Sequence, residues 1–288
     1  HLVIIGVGLI GGSVSLALKR AGVVGRVTGV GRSRDNLQLA EELDIIDAWS
    51  HDVAEAVADA DVVLLAVPMN AYASVFTAMA KTLPDHAVVT DAGSTKQSTI
   101  AAAHQCLPKP ERFIAAQPIA GTEQSGAGAA FAELFDQRLT VITPEQDSDE
   151  KALKLVQQLW GQTGSRVLSM GAAEHDDFLA SVSHLPHLAA FALVNAVSRQ
   201  KREGHDPFCF AAGGFRDFTR IASSSPEMWR DIALSNRDAL LTQLDAFQQE
   251  LNGLRQALLA DDAEKLLKEF AAAREARESW LAKHGEGL

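Results

Sequence analysis

The residues that could do chemistry in this chain begin with three glycines. Gly6, Gly8 and Gly11 lie in Gly6-Val7-Gly8-Leu9-Ile10-Gly11-Gly12-Ser13, directly after the apolar run Leu2-Val3-Ile4-Ile5. At this spacing the first glycine permits a tight turn. The second lets the backbone approach a pyrophosphate, and the third lets a helix pack close to the strand. The helix that follows, expected over Val14 to Arg20, would offer free N–H groups and the positive end of its dipole to the phosphates, with Leu9 and Ile10 inside the turn. Between a strand and a helix the pattern signals a dinucleotide site.

A second group of polar residues follows the later strands. The next strand, Arg26 to Gly31, ends without the Asp or Glu that would bond a ribose 2′-hydroxyl, and Arg32-Ser33-Arg34 comes after it. Two guanidiniums and a hydroxyl suit a 2′-phosphate, which favours NADP over NAD. Asp35 is expected to cap the helix from Asn36 to Leu43. The apolar run from Asp61 ends at Val67-Pro68, where a loop would pass the nicotinamide ribose. Ala87 to Thr90 leads into Asp91-Ala92-Gly93-Ser94-Thr95-Lys96. That places Ser94 and Lys96 beyond a strand end, where open α/β sheets bind ligands. Arg112 to Ala116 leads in the same way into the polar loop Gln117-Pro118-Ile119-Ala120-Gly121-Thr122-Glu123.

The second half carries Ser183-His184-Leu185-Pro186-His187 and the arginines Arg216, Arg220 and Arg230 among glycine and aromatic residues. A guanidinium fork matches a small carboxylated substrate, with interhelical ion pairs as the competing use for Arg216 and Arg230. His184 and His187 at i, i+3 lack an obvious third ligand, so no metal is expected. The acidic run Glu174-His175-Asp176-Asp177 fits an exposed helix face.

These groups need a scaffold, and the pattern supplies one. Strands and helices alternate through Leu139–Ile142, a helix over about 149–162 and Arg166–Ser169, which implies a doubly wound, mostly parallel Rossmann-type sheet over 1–170. From Gly171 the strands stop. Ala173 to Val197, apart from Pro186, is apolar on most of its circumference, so it should be buried, with a second subunit as its cover. Leu240, Leu244, Phe247, Leu251, Leu254 and Leu258 recur at helical spacing. Residues 171–288 are therefore expected to form an all-helical, substrate-binding domain that makes a homodimer.

Composition narrows the classes. The chain has 288 residues and a net charge of −11, which disfavours nucleic acid and anionic membranes as partners. No apolar run approaches a membrane span, and no signal peptide is evident. Cys106 and Cys209 lie far apart, as reduced residues of a cytoplasmic protein would.

Taken together, several motifs resemble the prephenate/arogenate (cyclohexadienyl) dehydrogenase family of tyrosine biosynthesis. They are the glycine turn, Asp91 to Lys96, Pro118 to Glu123 with Ser125-Gly126, Ser183 to His187, and Gly213 to Ile221 with Met228-Trp229-Arg230-Asp231. The resemblance implies nicotinamide-dependent oxidative decarboxylation of prephenate to 4-hydroxyphenylpyruvate, or of arogenate to tyrosine. It implies that Arg220 binds a substrate carboxylate, that His187 and His184 contact substrate and that Ser94 lies near the reacting hydroxyl. Thr122 and Glu123 would shape the cleft, and Trp229 would pack behind it.

One departure stands at the centre. The family has its catalytic His before Pro-Ile-Ala-Gly, and here that position is Gln117. A glutamine amide has no usable basicity near neutral pH. Losing a positioned base costs ~10²–10⁴-fold in rate. Three accounts compete: a substitution made to hold substrate without turnover, a natural variant using His187 or a water held by Ser94, and binding without catalysis. The intact remaining motifs and the nearly isosteric exchange favour the first.

Overall fold

The structure is a computed structural model that describes residues 1–122, 124–200 and 206–284. Two compact units divide the chain, residues 1–237 and 238–288. In the first, the strands β1 (Leu2–Ile5), β2 (Val27–Val30), β3 (Ala48–Ser50), β4 (Val62–Leu65), β5 (Val88–Asp91), β6 (Phe113–Pro118), β7 (Leu139–Thr143) and β8 (Arg166–Ser169) form one sheet. Their order is β3-β2-β1-β4-β5-β6-β7-β8. Every neighbouring pair is parallel except β6–β7. The central strands are apolar on both faces because helices cover both. One core packs Leu2, Ile4, Leu64 and Ile114 against Leu18, Phe135 and Trp160, and the other packs Val3, Ile5, Val63 and Val89 against Tyr72, Phe76 and Met79. Such burial is what a continuous β-branched run encodes.

The helices of this unit are α1 (Leu9–Arg20), α2 (Arg34–Glu42), α3 (Val53–Ala56), α4 (Tyr72–Met79), α5 (Gln97–Cys106), α6 (Glu150–Gln162), α7 (Ala172–Leu179), α8 (Leu185–Ser198), α9 (Gly213–Thr219) and α10 (Pro226–Ser235). Several differ from the sequence expectation for identifiable reasons. Helix α1 starts at Leu9, straight after Gly8, so Gly11 and Gly12 are helical. Helix α2 is capped by Ser33, whose hydroxyl accepts from the Asn36 N–H, and not by Asp35, which sits in the first turn. The short strand β3 has no counterpart in the sequence pattern, because three half-buried residues carry almost no periodic signal. Strand β6 runs on through Gln117 and Pro118, which pair with Val141 and Thr140 of antiparallel β7, so those two residues are not yet loop.

Residues 172–198 form one helical run with a wide turn in the middle. Ala180–His184 is a π-turn, with the Leu185 N–H donating to the Ala180 carbonyl. Pro186 explains the position, since it lacks an N–H and would crowd the preceding turn of a regular helix. In the single chain this run is not buried all round: Phe178, Val182 and Leu193 are exposed, the apolar surface for which a second subunit is the expected cover. By length and composition it also qualifies as a candidate membrane span, which corrects the expectation that no such run exists. Its buried Asp176 and His184 are nevertheless hydrogen-bonded to neighbouring loops and helices, ties that a lipid-facing span would not have.

The second unit consists of α11 (Arg237–Leu259) and α12 (Ala263–His284). Asp261 between them takes φ 49°, a left-handed turn residue. Leu251, Leu258, Leu267, Phe270 and Trp280 are exposed on it.

Candidate functional site

The glycine turn has the geometry that a dinucleotide needs. Gly6 takes φ +100°, and a Cβ there would lie 2.2 Å from the Ala66 carbonyl oxygen. A Cβ on Gly11 would lie 2.3 Å from the Gly6 carbonyl oxygen. At Gly8, by contrast, a Cβ would meet nothing within 4 Å, so the bare backbone faces open space. No side chain caps α1, which leaves its first N–H groups for a ligand. These features fit a bound pyrophosphate. Asn36 braces the turn, donating to the Val7 carbonyl at 2.7 Å and accepting from the Ala127 N–H at 2.9 Å. Leu9 is buried and Ile10 half-buried, while Arg32, Ser33 and Arg34 lie exposed beyond β2. Val67 and Pro68 follow β4 at the same end of the sheet.

Beyond β5 and β6 the structure separates two residues that the sequence had grouped. Ser94 is half-buried and makes no hydrogen bond among the described residues. Lys96 is fully buried and cannot contact a ligand, contrary to expectation. Its ammonium donates to Asp91 Oδ2 at 2.7 Å and to the Ala116 carbonyl at 2.6 Å. Asp91 Oδ1 accepts from the Ala116 N–H at 2.8 Å, and Oδ2 also accepts from Tyr72 at 2.9 Å. Burial pulls the Lys96 pKa below its ordinary value against the opposing charge of Asp91. The same burial, reinforced by Asp91, pushes the Tyr72 hydroxyl well above the usual range. The β5–β6 ladder is registered only through Val89↔Phe113 and Thr90↔Ile114. Where it stops, an ion pair grips both backbone groups of Ala116 and so fixes the start of Gln117. Gln117 Oε1 is buried without a partner among the described residues.

The run Glu174 to Asp177 is not the exposed helix face that the sequence suggests, since only Glu174 and Asp177 face outward. His175 and Asp176 are buried, because Asp176 caps α5 from across the fold. Its carboxylate accepts from the Lys96 N–H at 2.7 Å and the Gln97 N–H at 2.9 Å. Burial works to raise the Asp176 carboxyl, yet the His175 ring and these two N–H groups hold it below the usual range. No helical periodicity announces a capping residue supplied by a distant helix. For Asp91 and Lys96 a signal did exist: two opposite charges five residues apart, flanking a turn after an apolar strand.

From Asp176 the network continues to His184. Asn236 Nδ2 donates to the Asp176 carbonyl at 2.7 Å and faces His184 Nδ1 at 3.1 Å. An amide NH₂ only donates, so His184 Nδ1 accepts and its proton sits on Nε2, which is buried and unpartnered among the described residues. Burial lowers the His184 pKa to about 4. His187 has the opposite tautomer: Nδ1 donates to the Ser183 carbonyl at 2.9 Å, leaving the lone pair on Nε2. Its pKa is also lowered, chiefly by burial and further by the Arg220 charge. Trp229 stacks on His187 with ring centres 3.5 Å apart and meets His184 edge-on at 6.0 Å. Arg220 opens a short turn that packs against α8. Thr122 is exposed and accepts from the Gln124 N–H at 3.2 Å, and Glu123 lies outside the described residues. Among the described residues no cluster of His, Cys, Asp or Glu could hold a metal.

Two family models account for nearly all of this chain. The prephenate dehydrogenase nucleotide-binding domain matches residues 14–169, and the prephenate dehydrogenase dimerization domain matches residues 171–272. The chain belongs to the prephenate dehydrogenase family. It is 38% identical over 278 residues to the cyclohexadienyl dehydrogenase of Zymomonas mobilis, covering 96% of this chain and 94% of that one. The prephenate dehydrogenase of Aquifex aeolicus, solved with hydroxyphenyl propionate and NAD+, superposes with a TM-score of 0.92 at 34% identity, covering 96% and 97% of the two chains. Synechocystis arogenate dehydrogenase gives a TM-score of 0.80 at 26% identity, covering 97% and 99%. The chain is thus a dehydrogenase of this family, with a nucleotide-binding domain for a nicotinamide cofactor.

Proposed function

We propose that this chain oxidatively decarboxylates prephenate, arogenate or both with NADP+, NAD+ being the alternative, as a cytoplasmic homodimer whose turnover is slowed by Gln117. The observation that carries this reading is Gln117 Oε1, a buried acceptor without a partner among the described residues, on a backbone clamped by Lys96 and Asp91. A buried polar atom left unpaired costs stability, so its retention points to a ligand as the missing partner.

The turn at Gly6, Gly8 and Gly11 and the amino end of α1 hold the pyrophosphate, and Arg32, Ser33 and Arg34 hold the 2′-phosphate. Nicotinamide, when bound, supplies the hydride acceptor. Arg220 binds a substrate carboxylate, while Ser94 and His184 orient the ring that carries the reacting hydroxyl. The hydroxyl-bearing carbon would give its hydrogen with the electron pair to the nicotinamide, and the hydroxyl would lose its proton to water. As CO2 leaves, the electron pair of the bond to the ring carboxylate would pass through the ring to that oxygen, which regains a proton. Gln117 Oε1 accepts the hydroxyl hydrogen bond and places the group, but it does not take the proton. A second reading is favoured by the tautomer of His187: its Nε2 lone pair makes it the side chain able to accept that proton.

Initial rates of NADP+ reduction with prephenate, for this chain and for Gln117→His side by side, test the proposal. A gain of ~10²–10⁴-fold with histidine supports impairment at Gln117. Equal, fast rates overturn it and transfer the base role to His187, which His187→Asn would then silence. If both are inert with arogenate and NAD+ as well, the catalytic reading fails.

A further inference from the structure

The end of β2 carries more positive chemistry than the two arginines. Gly31 occupies the place where a carboxylate would select NAD, and its carbonyl accepts from His51 Nδ1 at 2.7 Å. The two residues are side by side because β2 and β3 are parallel with Val30 opposite Ser50, so each strand delivers its next residue to the same end of the sheet. A carbonyl only accepts, so Nδ1 carries the proton and Nε2 is left without a hydrogen bond among the described residues. The His51 ring packs edge-on against Trp49 with centres 5.4 Å apart, and the Arg34 guanidinium lies 6.0 Å from the Trp49 ring centre. Trp49 thus neighbours both an imidazole and a guanidinium near the end of β2.

The acids on the packed elements have other partners. Glu41 accepts from Trp49 Nε1 at 3.1 Å, and Glu55 accepts from the Ser50 hydroxyl at 3.2 Å. Asp52 caps α3 through the Ala54 and Glu55 N–H groups. Asp35 stands in the first turn of α2. None occupies the Gly31 position.

We propose that His51 joins Arg32 and Arg34 as a third contact of a ribose 2′-phosphate subsite, making discrimination between phosphorylated and unphosphorylated dinucleotides sharpen as pH falls. This rests on the NADP reading above. An imidazole that takes up a second proton donates from both ring nitrogens. One remains on Gly31 while the other meets the phosphate in a charge-assisted bond.

Calorimetry with adenosine 2′,5′-bisphosphate and AMP tests this, since the two differ only by the 2′-phosphate. In the unmodified chain the affinity ratio should rise about fivefold to tenfold from pH 8 to pH 6. The phosphate's own protonation, with a second pKa of about 6, works in the opposite direction. His51→Gln keeps a donor for Gly31 but cannot become charged, so its ratio should fall over the same range. A ratio in the unmodified chain that falls on acidification, or that His51→Gln reproduces at both pH values, overturns the role of His51 while leaving the cofactor reading intact. Equal binding of the two ligands at both pH values, unaltered by Arg34→Gln, overturns the cofactor reading itself.

Discussion

Lys96→Met removes the cation that holds Ala116 while preserving most of the side chain's volume. The ammonium is fully buried, 2.7 Å from Asp91 Oδ2 and 2.6 Å from the Ala116 carbonyl. Removing one partner of a buried pair costs about 3–5 kcal/mol because the other charge is stranded. The orphaned carbonyl adds about 1–3 kcal/mol. The variant should therefore lose about 5 kcal/mol in guanidinium unfolding followed by circular dichroism. It should also lose hydrogen-exchange protection at the Ala116 amide. The double variant Lys96→Met, Asp91→Asn discards both charges and keeps an acceptor for that amide, so it should recover about 2 kcal/mol. In a Gln117→His background, Lys96→Met should lower kcat far more than KM, because the clamp aims residue 117. A loss below about 1 kcal/mol, or a double variant worse than the sum of the singles, would refute the account of Lys96 as a clamp.

Gly8→Ala should keep its stability to within about 1 kcal/mol, since its Cβ meets nothing within 4 Å, yet weaken dinucleotide affinity on the order of tenfold, read by calorimetry. Gly11→Ala, 2.3 Å from a backbone oxygen, should lose both stability and binding. His184, with its pKa near 4, stays neutral in the folded chain while the unfolded chain takes up a proton near pH 6.5. The stability from that difference is present above pH 6.5 and lost as pH falls toward 4, by at most about 3 kcal/mol, and His184→Leu should flatten that part of the unfolding profile. Leu251→Asp with Leu258→Asp should convert a dimer to monomers in sedimentation velocity, since both leucines are exposed in the single chain.

The sheet was legible because buried parallel strands are written as continuous apolar runs, and the glycine turn because each glycine answers a steric demand now visible at Gly6 and Gly11. The links that hold the site were not legible in the same way. Asp176 looked like surface because its neighbours Glu174 and Asp177 are surface, and only the approach of α5 from eighty residues away gives it N–H groups to cap. Asn236 carried no motif at all, yet it sets the tautomer of His184. Lys96 was singled out for its charge and its place beyond a strand, and the same place beside Asp91 is what buries it. Polar residues that bond across the fold leave no period in the sequence, whereas apolar residues that line one face do.

The wide turn at Ala180–His184 has a consequence for how this chain can vary. A π-turn is a helix carrying one residue more than its regular pitch admits, and each residue is worth about 100° of rotation. That extra residue is taken up within the one wide turn, so everything after it, His187 included, keeps the angle of a regular helix one residue shorter. Deleting one residue between 180 and 184 would restore an ordinary helix and leave His187 on the face of Trp229, while Asp176 kept its hold on α5. A residue deleted anywhere else between the two would instead swing His187 about 100° away, because no wide turn absorbs it there.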